Sequence, residues 1–450
     1  MTTYSEAEQA TTTALSLQQQ FLCLFAQGFD AGPFGPQYTE VGGWRLHGRV
    51  DVEILRLALA DMVERHEALR TLVNLEDGGS QTVLPASAPE LRVVDLAVPP
   101  GAGRDQRAEQ LMIETETRPF PVDELPLLRA VLGRFDDEDS VLVLNTHHSA
   151  ADVWSLQVIL QDLAECYATR AAGGEPQLPP ATQYRDYIAE QQEEATGPSV
   201  AASRAYWRET LRDARILVAP MQPTDLSPAT SYHRFVTGSH LSTEVIRLSK
   251  ASKSSPFMVL LAAFTVFVHR RTQATDIVVP TFAPGRLRRS LSTVGSFFNF
   301  VPLRVKLDGC ETFRDVIART RTACIGAFSH ELPLLHVLAE APELLASAGP
   351  DGLPCLFQAV QPPYLMQGKR IGDLEYTAIW RRVIPQPLGS ETPDGMIWSM
   401  HLSPDEVVGG LSFSRHLFSQ AEVHQQVAQF LNVIGEMVAD PDSAIGASAS

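Results

Sequence analysis

The apolar positions of this chain change their period abruptly near residue 145. Ser140 to Leu144, SVLVL, is a short, nearly unbroken apolar run of the kind that forms a strand buried on both faces, and it runs into Asn145, Thr146, His147 and His148. From Trp154 the spacing becomes helical: Leu156, Ile159, Leu160, Leu163 and Tyr167 share one face, with Gln157, Gln161, Asp162 and Glu165 elsewhere. Asp152 or Ser155 is placed to cap that helix. Residues 140–170 therefore read as strand, polar loop and helix.

The same reading extends along the chain. Helices are expected within Ala14–Phe25, with Ser16 as cap, and within Val52–Val73, where Leu55, Leu59, Met62 and Val63 mark one face and Arg65–Thr71 turns into a following strand, and over Arg107–Thr117, Phe313–Phe328 and Ala421–Val438. Phe257–His269 is almost wholly apolar yet too short to span a bilayer, so it reads as a buried helix. Strands are expected within Gln81–Leu96 and at Asp276–Thr281 and Pro354–Gln361. The Gly- and Pro-rich stretch Gly28–Gly43 reads as loop, and residues 1–12 and 443–450 read as unordered ends. Ala171–Pro180, AAGGEPQLPP, is the best domain boundary and divides the chain into residues 1–175 and 176–450.

Composition narrows the classes. With 450 residues, 44% hydrophobic and 20% charged, the chain has ample material for a core and a length that fits two or three domains. Its polar start, MTTYSEAEQATTT, has no signal-peptide pattern and no apolar run reaches membrane-spanning length, which predicts a cytoplasmic protein without a membrane partner. Five scattered cysteines, Cys23, Cys166, Cys310, Cys324 and Cys355, read as reduced thiols. A net charge of −17 argues against nucleic acid as a partner, the short cluster Arg286, Arg288 and Arg289 being the densest basic spot.

Two adjacent histidines leaving a strand point to opposite faces, so one should face the interior and the other a cavity. That geometry, and the lack of further ligands at zinc spacing, argues against a metal. A histidine titrates near neutrality and can take a proton from an alcohol or amine as it attacks a carbonyl. Asp152 is then a second actor or a brace. The residues alone also allow a plainer reading, in which both histidines are satisfied polar groups at a strand end and Asp152 only caps a helix.

His147 to Ser155, HHSAADVWS, resembles the HHxxxDG motif of nonribosomal peptide synthetase condensation domains, within the chloramphenicol-acetyltransferase-like superfamily, with Val153 standing where the family has glycine. The neighbours extend the resemblance over almost the full length. Arg65 to Thr71 is close to the family's RHExLRT; Pro126 to Ala130 to its PLLRA; Tyr184 to Tyr187 to YxDY; Gly285-Arg286 to its GR; and Gly295 to Val305 to GxFxNTxPLRV, with Phe300 replacing threonine. The resemblance implies an α/β (α+β) fold of two acetyltransferase-like lobes in a V with a central substrate tunnel, the N-terminal lobe (1–175) carrying the histidines and the C-terminal lobe spanning 176–450.

It further implies His148 as the catalytic residue, His147 as structural, Asp152 paired with Arg286 to shape the loop, and Val153, Trp154, Ser155 and Asn299 at the loop and substrate channel. Val153, being β-branched, cannot take a positive φ cheaply, so the loop keeps an ordinary backbone there or is remodelled. No cofactor is expected to be bound. The implied donor is a thioester on the phosphopantetheine arm of a peptidyl or acyl carrier protein, met in trans by a free-standing enzyme, and the acceptor is an amine or hydroxyl nucleophile, small or itself carrier-bound; amide and ester remain open. The alternatives are a coenzyme A-dependent acyltransferase of the same superfamily and a non-catalytic condensation-like recruitment domain. A serine hydrolase is disfavoured because no G-x-S-x-G is present. Residues 362–400 match the family pattern least, which marks them for substrate specificity.

Overall fold

The computed structural model describes residues 11–194, 197–286, 288–348, 352–360, 369–389 and 395–446. The chain divides into two compact units, of which the first comprises Met1–Ala195, Pro284–Phe298 and Tyr364–Trp380. The Gly/Pro-rich segment 171–180 thus lies inside the first unit, which takes back two stretches from the second half of the chain.

In chain order the first unit contains β1 (Thr11–Ala14), α1 (Leu17–Cys23), β2 (Thr39–His47), α2 (Val52–Arg65), β3 (Thr71–Asn74), β4 (Ser80–Val83), β5 (Glu90–Asp95), α3 (Arg104–Glu116), β6 (Leu128–Arg134), β7 (Asp139–His147), α4 (Val153–Ala171) and α5 (Tyr184–Glu194). Its main sheet has six strands, in the order Lys369–Ile371, Leu374–Ala378, β2, β7, β6, β5. Strand β7 pairs antiparallel with β2 and β6, and all nine of its residues are buried. The alternation of a strand explains the apolar run. Val141 and Val143 pack toward α3 with Leu111 and Met112, whereas Leu142 and Leu144 pack with Leu55 and Leu59 of α2 and Leu156, Ile159 and Leu163 of α4.

Two expectations are corrected. The chain is already a strand at Thr11–Ala14, because β1 pairs antiparallel with β4 and its backbone groups gain partners there. The Gly-rich stretch also stops being loop at Thr39, where β2 begins, with Thr39 opposite His147. Its glycines serve close packing: a Cβ on Gly43 would lie 2.5 Å from the Met112 sulfur. Predicted caps form as read, Ser16 closing a capping box on α1 and Asp152 capping α4. His66, at the end of α2, lies 2.9 Å from Asp162 on α4, and Arg65 donates to the same carboxylate at 2.7 Å, so the Arg-His pair ties two helices together.

The second unit comprises Thr196–Ala283, Asn299–Pro363 and Arg381–Ser450. Its five-stranded sheet runs in the order Val218–Pro220, Gly352–Val360, Met396–Leu402, Val407–Ser414, Thr230–Thr237. Helix Pro256–Thr272 buries ten consecutive residues, Val259 to Val268, as its apolar sequence requires. No single helix among the described residues is long and apolar enough to cross a membrane; Ser239–Ala251 and Pro256–Thr272 reach that composition only jointly and are bent by 103°. A separate ribbon pairs Asp276–Ala283 with Asn299–Lys306 and closes at Ala283 opposite Asn299, and the excursion between them, 284–298, belongs to the first unit. Of residues 362–400, 362–368 and 390–394 lie outside the described residues; the rest supplies two strands to the first unit's sheet and one to the second's.

Candidate active site

The two histidines part at the end of β7. His147, the last strand residue, is fully buried. Its Nε2 lies 3.0 Å from the Gly35 carbonyl, which can only accept, so Nε2 carries the proton and Nδ1 accepts from the Ser149 hydroxyl at 2.7 Å and the Ser149 amide at 3.2 Å. With both nitrogens occupied, the ring is a neutral fastener between strand and loop. Burial lowers its pKa to about 4.

His148 leaves the ladder: its amide donates to the Tyr38 carbonyl at 2.9 Å. Its ring stacks on Tyr38, with centroids 4.8 Å apart, and Phe298 lies 5.3 Å away. Nδ1 is 3.0 Å from the Ala151 carbonyl and must donate to it. In the neutral ring the lone pair therefore sits on Nε2, and 20% of the side chain remains accessible. Desolvation lowers the pKa below the usual histidine range, opposed by the Asp152 charge and the bond to Ala151. A neutral imidazole with a fixed tautomer and its lone pair on Nε2, in a side chain that is not fully buried, can accept a proton from a nucleophile.

Asp152 turns away from His148. Its Oδ1 accepts from the Ser155 amide, the Ser155 hydroxyl and Arg286 Nη2, each at 2.7 Å, and its Oδ2 accepts from the Phe297 amide at 3.3 Å. The Arg286 side chain, 1% exposed, donates through Nη1 to the carbonyls of Ser290 (2.9 Å) and Thr293 (2.6 Å), and its guanidinium lies 4.0 Å over the Phe297 ring. Ser155 joins the same knot, its Oγ lying 2.8 Å from the Gly295 carbonyl and 3.0 Å from the Gly295 amide. Such an approach requires a glycine: a Cβ on Gly295 would sit 2.2 Å from the Tyr184 ring. The carboxylate and guanidinium thus clamp 284–298 onto the start of α4.

Val153 is the first residue of α4, is absent from the positive-φ positions, and leaves its side chain 52% exposed. Of the two possibilities left by the sequence, the backbone stays ordinary. Trp154 Nε1 donates to the Leu291 carbonyl at 2.7 Å, a further tie to the same excursion. Asn299 lies in the second unit, where its amide bonds Glu331 and the Leu332 carbonyl and its oxygen accepts from the Leu334 amide. Its described contacts brace the 331–334 loop. Sequence reading missed Tyr38 and Glu40; the Glu40 carboxylate lies 3.7 Å from His148 Nε2. Among the described residues, no three His, Cys, Asp or Glu side chains are grouped to hold a metal ion.

The protonation state of His147 predicts acid sensitivity. Its folded pKa of about 4 lies below the ordinary 6.5, so protons bind the unfolded chain first as pH falls. The stability present above 6.5 is lost between 6.5 and about 4, on the order of 3 kcal/mol from this ring. Urea unfolding at pH 7.5 and 5.0 should show a lower midpoint at the acid end, and His147→Gln should flatten that dependence.

Comparison with known proteins places this geometry. The condensation-domain family model matches residues 9–341, and the chain belongs to that family. It is 31% identical over 429 residues to one of the linear gramicidin synthase polypeptides of Brevibacillus parabrevis, covering 92% of this chain but 8% of that protein. The phosphinothricin tripeptide synthetase PhsC of Streptomyces viridochromogenes is 30% identical over 318 residues, 69% of this chain and 29% of its own length. The chain therefore spans less than a third of either relative. Among solved structures, the SgcC5 protein of Streptomyces globisporus, in complex with (R)-(-)-1-(2-naphthyl)-1,2-ethanediol and sucrose, matches with TM-score 0.92 and 44% identity over 96% of this chain and 100% of that one. The teicoplanin X-domain, solved with OxyB, shares the fold at TM-score 0.75 and 21% identity.

Proposed function

We propose that the chain is an acyltransferase that moves an acyl or aminoacyl group from a carrier-protein phosphopantetheine thioester to a hydroxyl of an aromatic acceptor, forming an ester in natural-product biosynthesis. The observation that carries the reading is the state of His148: Nδ1 is committed to the Ala151 carbonyl, so the lone pair of the neutral ring sits on Nε2, in a side chain that remains 20% accessible. The acceptor O–H gives its proton to Nε2 as oxygen attacks the thioester carbonyl; the C–S bond breaks as the C–O ester bond forms, and the proton passes from Nε2 to the departing sulfur. His147, Asp152 and Arg286 hold the loop without touching the reacting atoms. In this assignment the histidines, Asp152 and Arg286 all belong to the first compact unit, Arg286 through its 284–298 stretch.

The choice of a hydroxyl over an amine is supported by the 44% identical SgcC5 protein, whose structure holds an aryl 1,2-diol. Carrier protein as donor partner is supported by family membership. The test is acyl transfer from one aminoacyl group presented on carrier protein and on coenzyme A, to matched alcohol and amine acceptors. Ester formed preferentially from the carrier-bound donor is expected. A preference for coenzyme A, or amide as the main product, would overturn the donor or acceptor half of the reading, and no transfer with intact carrier binding would favour a recruitment role.

A further inference from the structure

Glu40 faces the one nitrogen of His148 left for chemistry. It stands near the start of β2, opposite Thr146 in the register, so the ladder between β2 and β7 fixes its Cα relative to the histidine loop. Its carboxylate comes to 3.7 Å from Nε2, beyond a direct hydrogen bond yet close enough for one small molecule to touch both. The two side chains are similarly accessible, 20% for His148 and 22% for Glu40, so a ligand can reach the pair. The Tyr38 ring, stacked on His148 and 4% exposed, fixes the histidine on this side. The Glu40 charge reaches that ring too, adding to burial in holding the Tyr38 phenol neutral.

Nε2 and a carboxylate side by side form a pair of acceptors. A carboxylate takes several hydrogen bonds at once, so whatever else Glu40 touches, it can receive another donor. Nε2 claims the proton of the attacking hydroxyl. The neighbouring carboxylate is then matched to a second donor on the same molecule, borne by the adjacent carbon.

We infer that Glu40 is a positioning and specificity-determining residue for the acceptor, whose carboxylate binds the second hydroxyl of a 1,2-diol while the first is held at His148 Nε2. The inference rests on the acyl-transfer reading above and adds to it a substrate class: vicinal diols over simple alcohols. The second hydroxyl is not acylated. It fixes which oxygen attacks and holds that oxygen in line with Nε2, restricting the acceptor's rotation before reaction. A hydrogen bond to an ionised, partly buried group is among the stronger ones, and losing it should cost about 10- to 100-fold in kcat/KM.

The test measures kcat/KM for 1-aryl-1,2-ethanediol and the matching 1-aryl-ethanol and 2-aryl-ethanol with one donor thioester, in wild type, Glu40→Gln and Glu40→Ala. Wild type should prefer the diol about 10- to 100-fold, Glu40→Ala should lose most of that preference, and Glu40→Gln, which keeps shape and an acceptor oxygen without the charge, should fall between. A preference unchanged in Glu40→Ala, or absent in wild type, overturns the assignment while leaving acyl transfer intact. Equal losses on diol and monoalcohol with a displaced pH profile also overturn it, since Glu40 would then act on the imidazole alone. If wild type esterifies no acceptor from any thioester, acyl transfer itself fails, a result distinct from the other two. Diol binding measured calorimetrically on each folded variant, without donor, keeps the test decisive should a variant turn over poorly: Glu40→Ala should weaken diol binding and not monoalcohol binding.

Discussion

His148→Ala should lower kcat for acyl transfer by about 10²- to 10⁴-fold, the range expected for loss of a positioned general base. Fold should survive. The side-chain hydrogen bond given up is the one to the Ala151 carbonyl, at a partly open position where water can replace it, so the stability cost is about 1 kcal/mol. The pH profile supplies a second readout. A base must be unprotonated to act, and desolvation lowers the His148 pKa below 6.5, so the acid limb of kcat/KM should lie below 6.5 in wild type and vanish in the variant. A variant that melts like wild type and still transfers within a few-fold of its rate would remove His148 from the reaction and leave a recruitment role as the better account.

Much of this site was legible because it depends on local period. The switch from alternation to helical spacing located β7, the loop and α4, and a strand end forces adjacent histidines apart, so that one bonds Gly35 and the other Ala151. What escaped depends on which strands become neighbours. Glu40 is 108 positions from His148, and the pairing of Thr39 with His147 brings them together. The glycines of β2 looked like turn residues because local sequence cannot tell a glycine needed for a bend from one needed for room, and Gly43 needs room for Met112.

The association of 284–298 with the first unit was hidden for a related reason. A GR dipeptide in a loop reads as solvated charge, and the family resemblance was what paired Arg286 with Asp152. The structure supplies the physical cause. A 1% exposed guanidinium needs acceptors, and it finds a carboxylate, the Ser155 hydroxyl and two carbonyls. Gly295 and Ser155 then complete a knot that no stretch of sequence displays by itself.

That knot carries the largest stability prediction. Arg286→Ala should destabilise the protein by about 3–5 kcal/mol, because it strips the paired cation from a buried carboxylate and leaves two loop carbonyls without this donor. Arg286→Lys should recover only part of the loss, since one ammonium cannot serve Asp152, Ser155, Ser290 and Thr293 from the positions of a planar fork. Asp152→Asn combined with Arg286→Ala should cost less than the sum of the single changes, as the neutral amide still caps α4 through Ser155 and leaves no bare charge. Denaturant midpoints of wild type, both single variants and the double variant measure this directly. Activity separates a brace from a reacting group: Asp152→Asn should reduce kcat and move the acid limb of the pH profile to lower pH, because the Asp152 charge raises the His148 pKa, yet the limb should persist, because the Asp152 oxygens bond Ser155, Arg286 and Phe297 instead of that ring. A strictly additive double variant would mean that the two side chains hold the loop independently, and the clamp would then reduce to a helix cap beside a buried arginine.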